Sequence, residues 1–133
     1  MVFQKRSTTN ALPNWEGKRL LIADDAPENL RILEIFLRAT RAKIDTAING
    51  KIALDKFLKF NYDLIVLDIN MPVLNGIETL KEMKKFRPDS KVVACTGTST
   101  KVYVNQYRSE GFDSYLRKPV ALKSIIESIQ PLI

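Results

Sequence analysis

Residues 64–76 read Leu64-Ile65-Val66-Leu67-Asp68-Ile69-Asn70-Met71-Pro72-Val73-Leu74-Asn75-Gly76. Four apolar residues in a row, two of them β-branched, predict a strand buried on both faces. Asp68 follows with no polar residue before it. A carboxylate at the end of a buried strand is costly unless something compensates it. Pro72 has no N–H to donate, so the strand cannot simply continue. Gly76 supplies a flexible point before the next helical pattern. The stretch therefore presents Asp68 at the carboxyl end of a buried parallel strand, where open α/β sheets keep their sites.

The same unit recurs on both sides. Arg19 to Ala23 is a short apolar strand ending at Asp24-Asp25, and Pro27 and Glu28 suit a helix's first turn. Leu30, Leu33 and Leu37 then fall on one helical face. Lys43 to Ala47 is a weaker strand, followed by the turn signal Asn49-Gly50 and by Ala53, Phe57 and Phe60 at helical spacing. The central strand is expected over Tyr62 to Leu67, and a helix carrying Ile77, Leu80 and Met83 stops at Pro88. Val92 to Cys95 leads into Thr96-Gly97, and Lys101 to Glu110 is a weak helix closed by Gly111. Ser114-Tyr115-Leu116 ends near Lys118-Pro119, and Leu122, Ile125, Ile126 and Ile129 mark a last amphipathic helix. Five βα units predict an α/β fold with a parallel sheet covered on both faces. Right-handed crossovers reduce the topology to a doubly wound, flavodoxin-like sheet of order 2-1-3-4-5. Residues 1–17 read as a flexible leader with Lys5-Arg6 and Pro13, Trp15 packing back onto a domain of residues 18–133.

At 133 residues the chain suits one domain. The single Cys95 excludes an intrachain disulfide and fits a reducing compartment. No apolar run reaches membrane-spanning length and the N-terminus lacks a signal peptide's apolar stretch, so the expected place is the cytoplasm, with no membrane partner. The net charge of +6 is read as a solvated surface. No basic block with interleaved aromatics predicts direct nucleic-acid binding. The absence of histidine excludes a His-based triad, a His metal site and a phosphohistidine within this chain.

In the predicted sheet, Asp24, Asp25, Asp68, Thr96 and Lys118 all fall on the carboxyl edge. Two carboxylates about 4 Å apart repel by roughly 4 kcal/mol at an effective dielectric near 20. Three need more compensation than Lys118 alone supplies. A hard divalent cation with oxygen ligands is the natural remedy, and Mg²⁺ fits a shallow carboxylate site. Such a site suits phosphoryl transfer: the cation neutralises a carboxylate nucleophile and the anionic phosphoryl group, while a lysine and a hydroxyl hold the remaining oxygens. One aspartate would become an acyl phosphate. Taken singly, each residue has a plainer reading: capping for Asp24-Asp25, a turn for Thr96, a surface charge for Lys118.

With Asp24-Asp25, the run Asp68-Ile69-Asn70-Met71-Pro72 closing at Gly76, Thr96-Gly97, and Tyr115 with Lys118-Pro119, residues 18–129 resemble the receiver domain of the two-component response-regulator family. The resemblance implies that Asp68 is the phosphoacceptor. It makes Asp25, Asp68 and the backbone carbonyl of Asn70 direct ligands of Mg²⁺ (or Mn²⁺), with Asp24 acting through a metal-bound water. Lys118 would pair with Asp68 and then with the phosphoryl group, and Thr96 would bond a phosphoryl oxygen. Tyr115 would be the aromatic switch, Pro119 would follow a cis bond, and Asn70 and Thr98 would tune the phosphoryl lifetime and slow autodephosphorylation. The implied partners are a sensor histidine kinase or a histidine phosphotransfer protein, and a downstream protein met through helix 4, strand 5 and helix 5. Lys101, Tyr103, Tyr107, Arg108 and Arg117 lie on elements of that face. The chain ends soon after its fifth helix, so output is expected through protein–protein contact, unless the receiver belongs to a larger polypeptide. Gly97 stands where the family often has alanine, and the first acidic loop resembles receivers attached to hybrid histidine kinases.

Three other functions fit parts of the pattern. A phosphatase of the haloacid-dehalogenase type also uses a strand-end aspartate, but generally places a second aspartate where Asn70 stands. A flavin-binding module would need a phosphate-cradling loop after the first strand, and Asp24-Asp25 would repel that phosphate. A receiver-like docking domain that no longer needs phosphate would not require the acidic set and Lys118, which are intact.

Overall fold

The computed structural model describes residues 12–97 and 101–133. The Lys5-Arg6 part of the leader and Thr98 lie outside them. Among the described residues five strands alternate with five α-helices: β1 (Arg19–Ala23), α1 (Pro27–Arg38), β2 (Lys43–Ala47), α2 (Gly50–Lys59), β3 (Leu64–Asp68), α3 (Gly76–Phe86), β4 (Val92–Thr96), α4 (Lys101–Glu110), β5 (Ser114–Arg117) and α5 (Leu122–Ile129), followed by a 3-10 turn over Gln130–Leu132. All neighbouring strands are parallel, in the order β2-β1-β3-β4-β5. The strand order changes direction between β1 and β3, and that is where a doubly wound sheet opens a crevice at its carboxyl edge.

The alternation of side chains along each strand builds two apolar layers. On one face Leu20, Ile22, Val66 and Val93 pack against Leu33 and Leu37 of α1 and Ile125 and Ile129 of α5. On the other, Leu21, Ile65, Leu67 and Ala94 meet Ala53 and Phe57 of α2, Leu80 and Met83 of α3, and Tyr107 of α4. Every residue of β3 and β4 is buried, as the continuous apolar run requires.

Two details differ from the sequence reading. The central strand starts at Leu64 rather than Tyr62 and includes Asp68. Tyr62 instead hydrogen-bonds Asp45 at 2.7 Å, and Asp63 exchanges two bonds with the backbone of Arg19, which fixes the strand's start. Trp15 packs back onto the domain as expected and is 3% exposed, but it does so as part of the core, ahead of the expected domain start at residue 18. Its Nε1 donates to Gln130 Oε1 at 2.9 Å and its backbone N–H to Thr40 O at 2.7 Å, so the core takes in the chain from Trp15 onward.

Candidate functional site: an acidic pocket at the carboxyl edge

Asp24 follows the last residue of β1 and is 1% exposed. Its Oδ1 accepts the Ala26 N–H at 2.9 Å, a local turn that carries the chain into α1 at Pro27. The α1 N-cap is Ala26, with no side-chain cap, so simple capping does not account for the acidic pair. Asp24 Oδ2 points into the pocket, while Asp25 is exposed beside it.

Asp68 ends β3 and is 3% exposed. The loop after it is held from both sides. Ile69 donates to Cys95 O at 3.1 Å, and Gly76 donates back to Ile69 O at 2.9 Å. Asn75 and Glu78 then form a reciprocal capping box that starts α3. Gly76 serves close approach here, not flexibility: a Cβ would press onto the Asp68 carbonyl oxygen and the Ile69 backbone. Gly97 is different, since a Cβ there would meet nothing within 4 Å.

Lys118 reaches in from beyond β5. Its backbone N–H bonds Thr96 O at 2.8 Å, and its peptide bond to Pro119 is cis. Nζ lies 3.1 Å from Asp24 Oδ2 and 3.2 Å from Asp68 Oδ1. The approach to Asp24 is a charge contact without hydrogen-bond alignment, so this buried oxygen has no hydrogen-bond donor among the described residues. Burial, reinforced by the Asp24 charge, pushes Asp68 up to about 6, against the opposing pull of Lys118 and the Asn70 N–H. Burial alone would lower Lys118; its contacts with Asp24 and Asp68 outweigh this and hold it above its ordinary range. Burial likewise raises the Cys95 thiol, to about 12, so this cysteine is an inert core residue.

One carboxylate oxygen each from Asp24, Asp25 and Asp68 can be chosen so that all three lie within 4.8 Å of one another. Three carboxylates against one ammonium leave negative charge uncompensated, and the donorless Asp24 oxygen faces the same space. An all-oxygen set of this kind suits a hard divalent cation, and the fit to Mg²⁺ is good. Asn70 stands at the pocket rim, exposed, its backbone N–H 3.3 Å from Asp68 Oδ1.

Thr96 ends β4 and is 2% exposed, its Oγ1 3.3 Å from the hydroxyl of Tyr107. Tyr115 on β5 is 37% exposed, at the edge of a small cleft shared with Val104, Tyr107, Arg108 and Phe112. Tyr103, Arg108 and Arg117 are exposed on this side. Tyr107 is not a surface residue: it is 6% exposed and packs edge-to-face on Phe112. It lies on an element of the expected partner face, as the sequence places it, but on the inner side of α4, where it is not available to a partner. The side chain of Lys101 lies outside the described residues, as does Thr98. None of the described helices is long and apolar enough to cross a membrane.

Residues 20–130 match the response regulator receiver domain. The chain is 30% identical over 114 residues to the chemotaxis protein CheY of Thermotoga maritima, covering 85% of this chain and 95% of that protein. Among solved structures, TrrA of Thermotoga maritima, in complex with Mg²⁺ and BeF, is 35% identical. It superposes with a TM-score of 0.79 over 87% of this chain and 99% of that one. CheY4 of Vibrio cholerae, at 23% identity and a TM-score of 0.82, shares the fold.

Proposed function

The chain belongs to the response regulator receiver family, a family of signalling modules, and from that premise we propose that it takes a phosphoryl group onto Asp68 in a Mg²⁺-dependent step. The observation that carries this reading is the carboxylate cluster at the ends of β1 and β3, in which Lys118 bridges the buried Asp24 and Asp68, Asp25 stands exposed beside them, and the set is still short of positive charge. The TrrA relative, 35% identical, is described with Mg²⁺ and BeF, which supports the same chemistry here.

Asp25, Asp68 and the Asn70 carbonyl would hold the cation directly, and Asp24 would act through a bound water. When bound, the cation would supply the positive charge that lets an anionic phosphoryl group approach a carboxylate. An Asp68 oxygen attacks phosphorus and the bond from phosphorus to the donor group breaks. The departing group keeps that electron pair, and the product is an aspartyl phosphate. Lys118, already between Asp24 and Asp68, shifts its contact to a phosphoryl oxygen, and Thr96 donates its hydroxyl proton to another. Asn70 and Thr98 flank the path of the water that later hydrolyses the adduct, and so set its lifetime.

With no histidine in the chain, the phosphoryl group comes from a sensor histidine kinase, a histidine phosphotransfer protein or a small phosphodonor. Movement of Thr96 and rotation of the outward Tyr115 would bias the face made by α4, β5 and α5 between two states. A downstream protein would read that face through Tyr103, Arg108 and Arg117. Incubation with Mg²⁺ and acetyl phosphate, followed by intact mass, tests the proposal. A phosphoryl adduct mapped to Asp68, lost without Mg²⁺ and in Asp68→Asn, is the expected result. An adduct that persists in Asp68→Asn overturns the assignment.

A further inference from the structure

The inference that follows rests on the reading of Asp68 as phosphoacceptor and concerns what holds Thr96 before the phosphoryl group arrives. The backbone of Thr96 is fixed between strands: it pairs with Arg117 of β5, and its carbonyl accepts the Lys118 N–H at 2.8 Å. The position of its hydroxyl is therefore set by one stiff torsion. That hydroxyl lies 3.3 Å from the Tyr107 hydroxyl, inside the protein. Tyr107 itself has little freedom. Its ring sits edge-to-face against Phe112, centroids 6.2 Å apart at 84°, and its carbonyl accepts the Phe112 N–H at 3.1 Å. Its other neighbour is Tyr103, at 6.5 Å. A ring clamped in this way cannot follow Thr96 toward Asp68.

We propose that Tyr107 is a positioning residue that holds the Thr96 hydroxyl toward α4 and so competes with a phosphoryl group on Asp68 for it. A phosphoryl oxygen only accepts, so Thr96 must bring it the single hydroxyl proton and the torsion that aims it. The Tyr107 contact favours a torsion aimed toward α4. Phosphoryl capture breaks the Thr96–Tyr107 bond and leaves a buried phenol in need of a new partner. Because Tyr107 and Tyr115 line the same cleft, the adjustment is delivered to the α4–β5 surface.

The test is Tyr107→Phe, which removes one oxygen and keeps the ring packing. Mg²⁺ with beryllium fluoride is titrated calorimetrically against wild type, Tyr107→Phe, Thr96→Ala and the double variant. Losing one neutral hydrogen bond that opposes the bound state should tighten beryllofluoride binding by roughly 2- to 10-fold. Acetyl phosphate labelling should speed up in step. In the Thr96→Ala background the same substitution should change nothing, and affinity for Mg²⁺ alone should be equal in wild type and Tyr107→Phe. Wild type that ignores beryllofluoride would sink the Asp68 reading itself. Wild type that binds, with Tyr107→Phe equal or weaker, overturns the role of Tyr107, and so does a gain that persists in Thr96→Ala. A second measurement uses the unsubstituted chain labelled with 3-fluorotyrosine. The Tyr107 fluorine resonance should shift with Mg²⁺ and beryllofluoride together but not with Mg²⁺ alone; no shift overturns the proposal.

Discussion

Two parts of the sheet use the same residue type in opposite ways. Away from the carboxyl edge, at mid-strand on β2 and at the amino ends of β1, β3 and β4, aspartates are matched to donors. Asp45 receives Tyr62 at 2.7 Å and Arg19 Nε at 2.9 Å, and the Arg19 guanidinium lies 3.8 Å above the Phe60 ring. Asp63 and Asp113 each accept a strand's first backbone N–H, from Arg19 and Val92. On the carboxyl edge three carboxylates lie together, one lysine contacts only two of them, and a buried Asp24 oxygen has no hydrogen-bond donor among the described residues. An aspartate is structural where donors are sufficient, and available for chemistry where they run short.

The sharpest way to break this contrast is to remove one aspartate from each group. Asp68→Asn should abolish phosphorylation while leaving the metal-free protein as stable as wild type or more so, since it relieves repulsion with Asp24. Asp45→Ala should leave phosphorylation intact and cost about 1–3 kcal/mol, because Tyr62 and Arg19 lose a half-buried partner. Intact mass after acetyl phosphate and urea midpoints in EDTA read the two effects. A destabilised Asp68→Asn, or an Asp45→Ala protein that no longer takes phosphate, would end the distinction.

Solution pH should separate the two groups by the sign of its effect. At Asp45 burial raises the carboxyl, but the hydrogen bonds from Tyr62 and Arg19 outweigh it and hold the group below its ordinary value; the Tyr62 phenol is held correspondingly high. The stability that Asp45 supplies is full above about pH 3.9 and is lost as pH falls through its lower folded value. Asp68, raised to about 6, behaves in reverse: its contribution is full below about pH 3.9 and is lost as pH rises through about 6. Melting curves in EDTA between pH 3 and 7 should show Asp68→Asn overtaking wild type across the pH 4–6 interval, with Mg²⁺ narrowing the gap. For Asp45→Asn the deficit against wild type should shrink only toward the acid end. Parallel curves for all three proteins would mean that the two groups are electrostatically alike.

The contrast also explains what could be read from the sequence. The carboxyl edge was legible because each candidate residue follows a strand signal of its own: Leu64–Leu67 before Asp68, Arg19–Ala23 before Asp24, Val92–Cys95 before Thr96. A parallel sheet then brings those ends together without further information. The matched network of Arg19, Asp45 and Tyr62 was not legible, because its members come from three separate segments and look like surface polar residues. Tyr107 escaped for a related reason. The Thr96 contact depends on which side of a weakly amphipathic helix faces the sheet, and α4 carries too few apolar residues to announce it. Trp15 gave no periodic signal at all; its place is fixed by single bonds to Thr40 and Gln130.

The smallest expected effect concerns backbone strain rather than charge. Among the described residues each edge has one non-glycine residue in the left-handed region: Arg41 at φ 73° between α1 and β2, and Val73 at φ 71° in the loop after Asp68. Arg41 follows the end of a helix, where that conformation is common and its unbranched Cβ is tolerated. Val73 is β-branched, so the same angle makes it an outlier. It is also 73% exposed and buries too little apolar surface to offset the strain. Asn accepts this conformation more readily. Val73→Asn should therefore raise stability by about 1 kcal/mol, or roughly 3–5 °C in melting temperature for a domain of this size. Arg41→Asn should gain clearly less. Thermal melts of the two variants decide the matter, and equal gains would show that the loop beside Asp68 stores no more strain than an ordinary helix end. If Val73→Asn gains stability and slows acetyl phosphate labelling, the strain helps hold the loop in the conformation that presents Asp68. A gain with unchanged labelling would make it a local cost of turning the chain at Pro72.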